Sequence, residues 1–330
     1  MIANYLKTAL RFLKHNKIFA AINIAGLSIA LAASFIILLY VINELSYDTC
    51  HKNRKNVYRV LNYYKEFKQV MAGTPYVLAS SLKDEYPRVK KACTVRPVGL
   101  VFKIGEESVA VRPAMAASPD IFDIFSIPLM EGVPGQNLLE EKNSVVLSRE
   151  LAERFFPGED AVGKEIEGTI NNKGNLFIVK GVFEDIPVNS ILKAQCFVNS
   201  WWTLSPINET FKVSNADVNW TFDFWNTWIL LTDGSDPNEF TKQFRAFEKK
   251  YISEDPHVEY SLQNLSKVYL DSENVANTGL KGNIKNVRLF SLIAFLIVLV
   301  AAMNYIILAT AVSSSRGREI GIRKTFGAYD

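Results

Sequence analysis

Histidine and cysteine are scarce in this chain, three of each among 330 residues, and their placement excludes most site chemistry. His15 and His51 flank the first apolar run and His257 stands alone beside a strand-like segment, so no His, Cys and carboxylate set has metal-ligand spacing. No G-x-S-x-G elbow and no glycine-rich phosphate loop occurs, which removes the α/β-hydrolase and nucleotide-binding classes. No cofactor is expected. Net charge is only +3, and no Lys/Arg run interleaved with aromatics is present to track a phosphate backbone, so no nucleic-acid partner is expected. Glu184-Asp185 comes nearest to an acid/base pair, but neighbours entering the Ile186-Pro187 turn point apart, and a solvated turn is the plainer reading.

Cys50, Cys93 and Cys196 all lie between two apolar runs. In an oxidising compartment they permit one disulfide with one thiol left over; equally, they suit three small buried residues, and sequence does not choose. Tyr47-Asp48-Thr49 before Cys50 lacks the small residues of a lipoprotein cleavage site.

The two runs themselves are long. Ile18 to Ile42 holds no charge in 25 residues, and Leu289 to Val312 is likewise uncharged. Both exceed the roughly 20 apolar residues that cross a bilayer core. Ala30-Leu31-Ala32 imitates a signal cleavage site, but the apolar run continues to Tyr40, well past the roughly 7 to 15 residues of a signal, so an anchor is expected. Transmembrane helices are predicted over 18–44 and 288–312. Lys7, Arg11, Lys14 and Lys17 precede the first, and Arg316, Arg318, Arg323 and Lys324 follow the second, which places both ends in the cytoplasm. Lys52, Arg54, Lys55 and Arg59 pull the other way, but long loops are translocated largely regardless of charge. Residues 45–287 are then one extracytoplasmic domain.

Residues 1–17 place Ile2, Tyr5, Leu6, Ala9, Phe12 and Leu13 on one helical face opposite Lys7, Arg11, Lys14 and His15, the pattern of an amphipathic helix lying in the membrane interface, with lipid as its partner. Within the first span Gly26, Ala30 and Ser34 form a small-residue stripe that predicts a closely packed neighbouring helix. The exported segment alternates strand-like and helix-like pieces, an α+β order. Strands are predicted at 57–64, 95–104, 109–115, 144–147, 175–183, 194–200, 226–231 and 258–265. Helices follow Thr74-Pro75, with Leu78, Leu82 and Tyr86 on one face, Ser118-Pro119, Ser148 and Asp236-Pro237, while Trp201 to Trp220 reads as a surface loop. The tryptophans Trp201, Trp202, Trp220 and Trp225 suit core packing and loop anchoring better than a binding groove.

The second span runs into Arg318-Glu319-Ile320-Gly321-Ile322-Arg323-Lys324-Thr325-Phe326-Gly327-Ala328. Glu319 and Arg323 are an i,i+4 pair in the favourable order, Ile322 and Phe326 share a face, and Gly327 suits a left-handed C-cap. This is a compact docking helix at 313–330; the plainer alternative is a basic tail that only fixes topology. Together with Phe155-Phe156-Pro157-Gly158-Glu159-Asp160-Ala161-Val162-Gly163-Lys164 and Asp185-Ile186-Pro187-Val188-Asn189-Ser190, that segment resembles ABC-transporter permeases of the MacB/FtsX type, whose MacB-like periplasmic core domain lies between the first two membrane helices. The chain departs from the family at Ile191, where many members have His.

The resemblance spans nearly the whole chain and implies a multi-pass protein of the bacterial inner membrane. It implies a non-catalytic permease subunit, working as a homodimer or beside a related permease, with ATP hydrolysis on a separate ABC ATPase subunit. A periplasmic adaptor and an outer-membrane channel are further partners that it allows. Arg318, Glu319, Ile320, Ile322, Arg323, Lys324, Phe326 and Gly327 would contact the ATPase. The exported domain would divide into a porter-like part, about 46–100 with 235–280, and an inserted β-rich lobe at about 101–234. Related permeases carry further membrane helices after this segment, so the chain is expected to be the N-terminal portion of a longer permease. A two-span sensor with an extracytoplasmic ligand-binding domain shares the layout, and would continue into a signalling helix instead of returning to the membrane.

Overall fold

The computed structural model describes residues 17–132, 137–253 and 256–327; near the C-terminus side chains are described to Ile307 and again at Thr310, Gly321, Ile322 and 325–327. The amphipathic helix expected over 1–17 lies outside the described residues, apart from Lys17. Two compact units form: Met1–Leu45 with Ile284–Asp330, and Ser46–Asn283.

The first unit opens with α1 (Lys17–Leu45), of which Ala21–Leu45 is long and apolar enough to cross a membrane. The second unit holds, in order, β1 (Val57–Tyr64), β2 (Gln69–Met71), α2 (Leu78–Glu85), β3 (Val89–Ile104), β4 (Glu107–Ala117), α3 (Ile121–Phe125), β5 (Leu129–Glu131), β6 (Ser144–Ser148) and α4 (Arg149–Phe155). There follow β7 (Glu165–Ile170), β8 (Lys173–Phe183), β9 (Cys196–Asn199), a 3-10 turn (Ser200–Thr203), α5 (Leu204–Phe211), β10 (Asn226–Leu231), α6 (Pro237–Tyr251), β11 (Val258–Asn264), α7 (Leu265–Val268) and β12 (Val275–Ala276). The first unit is completed by α8 (Ile284–Thr325).

Among the described residues all twelve strands join one sheet, ordered β12-β2-β1-β10-β3-β4-β9-β6-β8-β5, with β11 on β1 and β7 bridging β3 and β8. The sixteen-residue β3 is its seam. Residues 89–95 pair with β10 and 100–103 pair with β7, both antiparallel, while β4 follows the other edge from Val95 to Ile104. The register shifts between Val98 and Leu100, where Pro97, Gly99 and Pro113 interrupt the two strands; proline has no N–H to give the ladder. Three buried clusters use the two faces. In one, α2 and α6 lay Leu78, Leu82, Phe240, Phe244 and Phe247 on Val60, Ile229 and Tyr260. Phe240, Phe244 and Phe247 recur at helical spacing, and Asp236 caps α6 by accepting from Asn238 N. A second joins Phe102, Phe155, Phe177 and Trp202, and a third joins Phe122, Phe125, Phe183, Phe197 and Trp228.

Two expectations are corrected. Thr74-Pro75 does not start α2, which begins at Leu78; Thr74 is instead fully buried, paired with Trp225, whose carbonyl accepts from its hydroxyl at 2.9 Å. The segment 201–220 is not a loop throughout, because Asn199 caps a 3-10 turn that leads into α5, which buries Leu204 and Ile207 against Trp225. Burial of two apolar positions one turn apart outweighed its polar composition.

Candidate functional site

The domain begins one residue after α1, and its first turn is held tightly. Asp48 adopts φ +58°, a left-handed conformation that Asp tolerates, and its N–H donates to Asn189 O at 2.8 Å. The Asn189 amide donates back to the carbonyl and hydroxyl of Ser46 at 3.2 and 2.9 Å. Asp48 Oδ1 accepts from Ser190 Oγ at 3.0 Å and from Ile191 N at 2.9 Å. On the other side of the serine, His51 Nε2 lies 2.9 Å from Ser190 Oγ, and Nδ1 lies 2.6 Å from Phe125 O. Asp48, His51 and Ser190 are all buried.

These are the residue types of a hydrolytic triad, but the order is wrong. The serine sits between the carboxylate and the imidazole, and its oxygen is shut away from any substrate. Burial pushes the Asp48 carboxyl up to about 6 and pushes the His51 imidazole down. A carbonyl only accepts, so His51 Nδ1 carries the hydrogen that faces Phe125 O. Every contact along Asp48-Ser190-His51 then has a hydrogen only when the chain holds one proton beyond carboxylate and neutral imidazole. That proton lies on Asp48, with Ser190 donating to His51, or on His51, with Ser190 donating to Asp48. The cluster is a structural latch, and with Asp48 pushed up to about 6 it takes up that shared proton as pH falls through about 6.

The other end of the domain closes on the same region. Tyr47 stacks on Tyr269 with ring centroids 3.4 Å apart and planes 2° from parallel, and Gly282 N donates to Tyr269 O at 2.8 Å. The Asn264 side chain donates to the carbonyls of Lys55 and Val57 at 2.9 and 3.3 Å and accepts from Ser266 N, capping α7. Tyr269 thus gathers the first and last residues of the domain.

In the helical unit α1 and α8 run antiparallel, with Tyr40 edge-on to Phe290 at 5.3 Å. Of the small-residue stripe, Ser34 is buried and Ala30 half-buried, while Gly26 is exposed with open space around it. The helix α8 contains a second segment apolar and long enough to cross a membrane, Ile284–Ile307, and runs on unbroken to Thr325. Phe326 N still donates to Ile322 O at 3.2 Å, and Gly327 leaves at φ +82°, the left-handed exit that favours glycine. Ile322 and Phe326 are 53% and 88% exposed. The backbone of 318–324 is helical, and the side chains of Arg318, Glu319, Ile320, Arg323 and Lys324 lie outside the described residues.

Cys93 and Cys196 are fully buried and Cys50 exposed, and all three are free thiols. Burial pushes each thiol up, with the Asp48 charge adding to it at Cys50. Among the described residues no group of three His, Cys, Asp or Glu side chains could hold a metal ion. Trp202 and Trp225 are buried in the core, and Trp201 and Trp220 are half-buried. The sequence signal for the latch was the Asp185-to-Ser190 motif; that it would meet Asp48 and His51, about 140 residues earlier, was not visible.

Residues 20–247 match the family described as MacB-like periplasmic core domain. Among solved structures, a domain of a protein described as a permease from Porphyromonas gingivalis aligns over 65% of this chain and 92% of its own, at 18% identity and a TM-score of 0.52, a likeness of fold. The periplasmic region of MacB from Actinobacillus actinomycetemcomitans aligns over 64% of this chain and 90% of its own, at 14% identity and a TM-score of 0.45. The extracellular domain of the noncanonic ABC-type transporter YknZ from Gram-positive bacteria aligns over 63% and 100%, at 12% identity and a TM-score of 0.44. No curated protein matches the sequence.

Proposed function

Because this chain belongs to the family of MacB-like periplasmic core domains, which is one of ABC-transporter-type permeases, we propose that it couples ATP hydrolysis on a separate ATPase subunit to movement of its exported domain, for export or mechanical signalling. The observation that carries this reading is α8, 42 residues without a break. At about 1.5 Å per residue it is about 63 Å long, roughly twice the hydrocarbon core. Such a rod passes displacement from one end to the other, and no proline interrupts it. Its far end carries two exposed apolar side chains one turn apart, Ile322 and Phe326, suited to sit in a partner's groove.

The basic flanks support a cytoplasmic position for both helix ends, with the domain outside, in the inner membrane. The permease would work as a dimer. In efflux, a periplasmic adaptor and an outer-membrane channel complete the path. The seam at β3 supports division of the domain into a porter-like part and an inserted lobe. β10 pairs with both β1 and β3, which supports counting it with the porter-like part and drawing the lobe's end before Asn226 instead of at about 234.

The test is the double variant Ile322→Asp with Arg323→Glu in the full protein, reconstituted with its ATPase. Stimulation of ATP hydrolysis is expected to be lost while membrane insertion is unchanged. Undiminished stimulation in that variant refutes the coupling role.

A further inference from the structure

The domain carries a second feature, a cavity walled in part by Ile191, Leu192 and Lys193 just after the latch serine, that the permease reading does not use. A cavity of about 330 Å³ lies between the two helices, but a larger one, 620 Å³, opens on the sheet of the domain. Its lining includes Arg59, Arg96 and Lys193 against a single carboxylate, Asp223. Arg59 is the unusual member. It is 1% exposed, and its guanidinium donates only to neutral oxygens: Thr278 Oγ1 at 2.6 Å, Gln263 Oε1 at 2.6 Å and Ser272 Oγ at 3.1 Å. Its Nε has no partner, and it lies over the Trp228 ring at 5.9 Å. Arg96 is half-buried over the faces of Phe224 and Trp225, at 5.4 and 5.7 Å, with no carboxylate beside it among the described residues.

Asp223 makes no ion pair with this set among the described residues. It accepts from Asn62 at 3.0 Å and from the Tyr64 hydroxyl, and burial pushes its carboxyl up to about 7. A buried guanidinium without a counter-charge is costly, and burial pushes Arg59 down to about 10. An anion from outside would supply what the fold withholds, and Arg recognises phosphate or carboxylate through its planar fork. The rest of the wall is mixed, with Met115, Phe224 and Leu280 as apolar members beside Asn226, Asn277 and Thr278, and the volume falls in the roughly 300 to 1,000 Å³ range of small-molecule sites.

We propose that this cavity binds a phosphate or carboxylate group, with Arg59, Arg96 and Lys193 as its cationic wall and the apolar lining receiving whatever organic body the anion carries. The inference stands apart from ATPase coupling, and its test needs no partner. Tryptophan fluorescence of the full chain in lipid nanodiscs is titrated with hexyl phosphate, hexanoate, inorganic phosphate and hexanol. Saturable binding of at least one anion is expected, at least tenfold tighter than hexanol. Arg96→Met and Lys193→Met should each weaken it about tenfold or more, and Arg59→Lys, which keeps the buried charge but not the fork, should weaken it as well. Preference for the hexyl anions over inorganic phosphate assigns the site to an anionic amphiphile; equal binding assigns it to a free anion. Hexanol binding as tightly as the anions overturns the proposal, as does unchanged affinity in Arg96→Met and Lys193→Met chains that unfold like the parent.

Discussion

Replacing Asp48 by Asn should steepen the loss of stability on acidification. Asp48 has a raised folded pKa, about 6, so the stability linked to it is present below its unfolded value near 3.9 and is lost as pH rises through 6. His51 has a lowered folded pKa, so the stability linked to it is present above its unfolded value near 6.5 and is lost as pH falls. Between about pH 4 and 6 the two slopes oppose each other. The unfolded chain holds one proton on the histidine, and the folded latch holds one shared proton. In Asp48→Asn the amide oxygen still accepts from Ile191 N, but no carboxylate remains to hold or stabilise that proton. Only the His51 slope remains, about 1.4 kcal/mol per pH unit below 6.5 at its steepest. Between pH 7.5 and 5.5 the variant should lose up to about 1.4 kcal/mol, and the parent, whose latch takes up a proton near pH 6, about 0.8 kcal/mol less. Urea unfolding followed by tryptophan fluorescence at pH 5.5, 6.5 and 7.5 measures this, with Trp228 packed on Phe125 at 5.1 Å as a nearby reporter. Equal slopes in parent and variant would refute the shared proton.

Phe244→Ala empties a site that is 1% exposed beneath α6 and should cost about 3 to 5 kcal/mol in the same unfolding assay. Gly168→Ala places a Cβ 2.8 Å from the ring of Phe102 and 3.0 Å from that of Phe177, both fully buried, and should cost about 1 to 3 kcal/mol. Maleimide labelling of the native chain should modify Cys50 alone, with Cys93 and Cys196 reacting only after denaturation; fast labelling of either buried thiol would contradict the packing.

Elements governed by local pattern were legible in the sequence. The strands at Val57–Tyr64 and Asn226–Leu231 match expectation, because branched and aromatic residues there meet burial on the sheet. Ser148 and Asp236 cap α4 and α6 as their side chains dictate. What depended on distant partners was not legible. β7 reads E-I-E-G-T-I, and its identity as a strand rests on β3 and β8, which flank it. Thr74 looked like a cap because nothing local reveals that Trp225 lies across from it. The latch and the Arg59 cavity failed to show for the same reason. Each is assembled from residues more than one hundred positions apart, and their single-residue signals, a lone His and an Arg within a strand, are unremarkable.

Tyr269 has an evolutionary implication. A domain whose first and last residues meet at one aromatic ring occupies no more chain path than a short turn between two helices. Its 238 residues, from Ser46 to Asn283, can therefore be treated as a cassette: exchange for a related domain, or excision with a few linking residues, leaves the register of the helical hairpin to its own contacts. Diversification of the exported surface and preservation of the membrane machinery can then proceed separately, with the ring marking where one set of selective pressures hands over to the other.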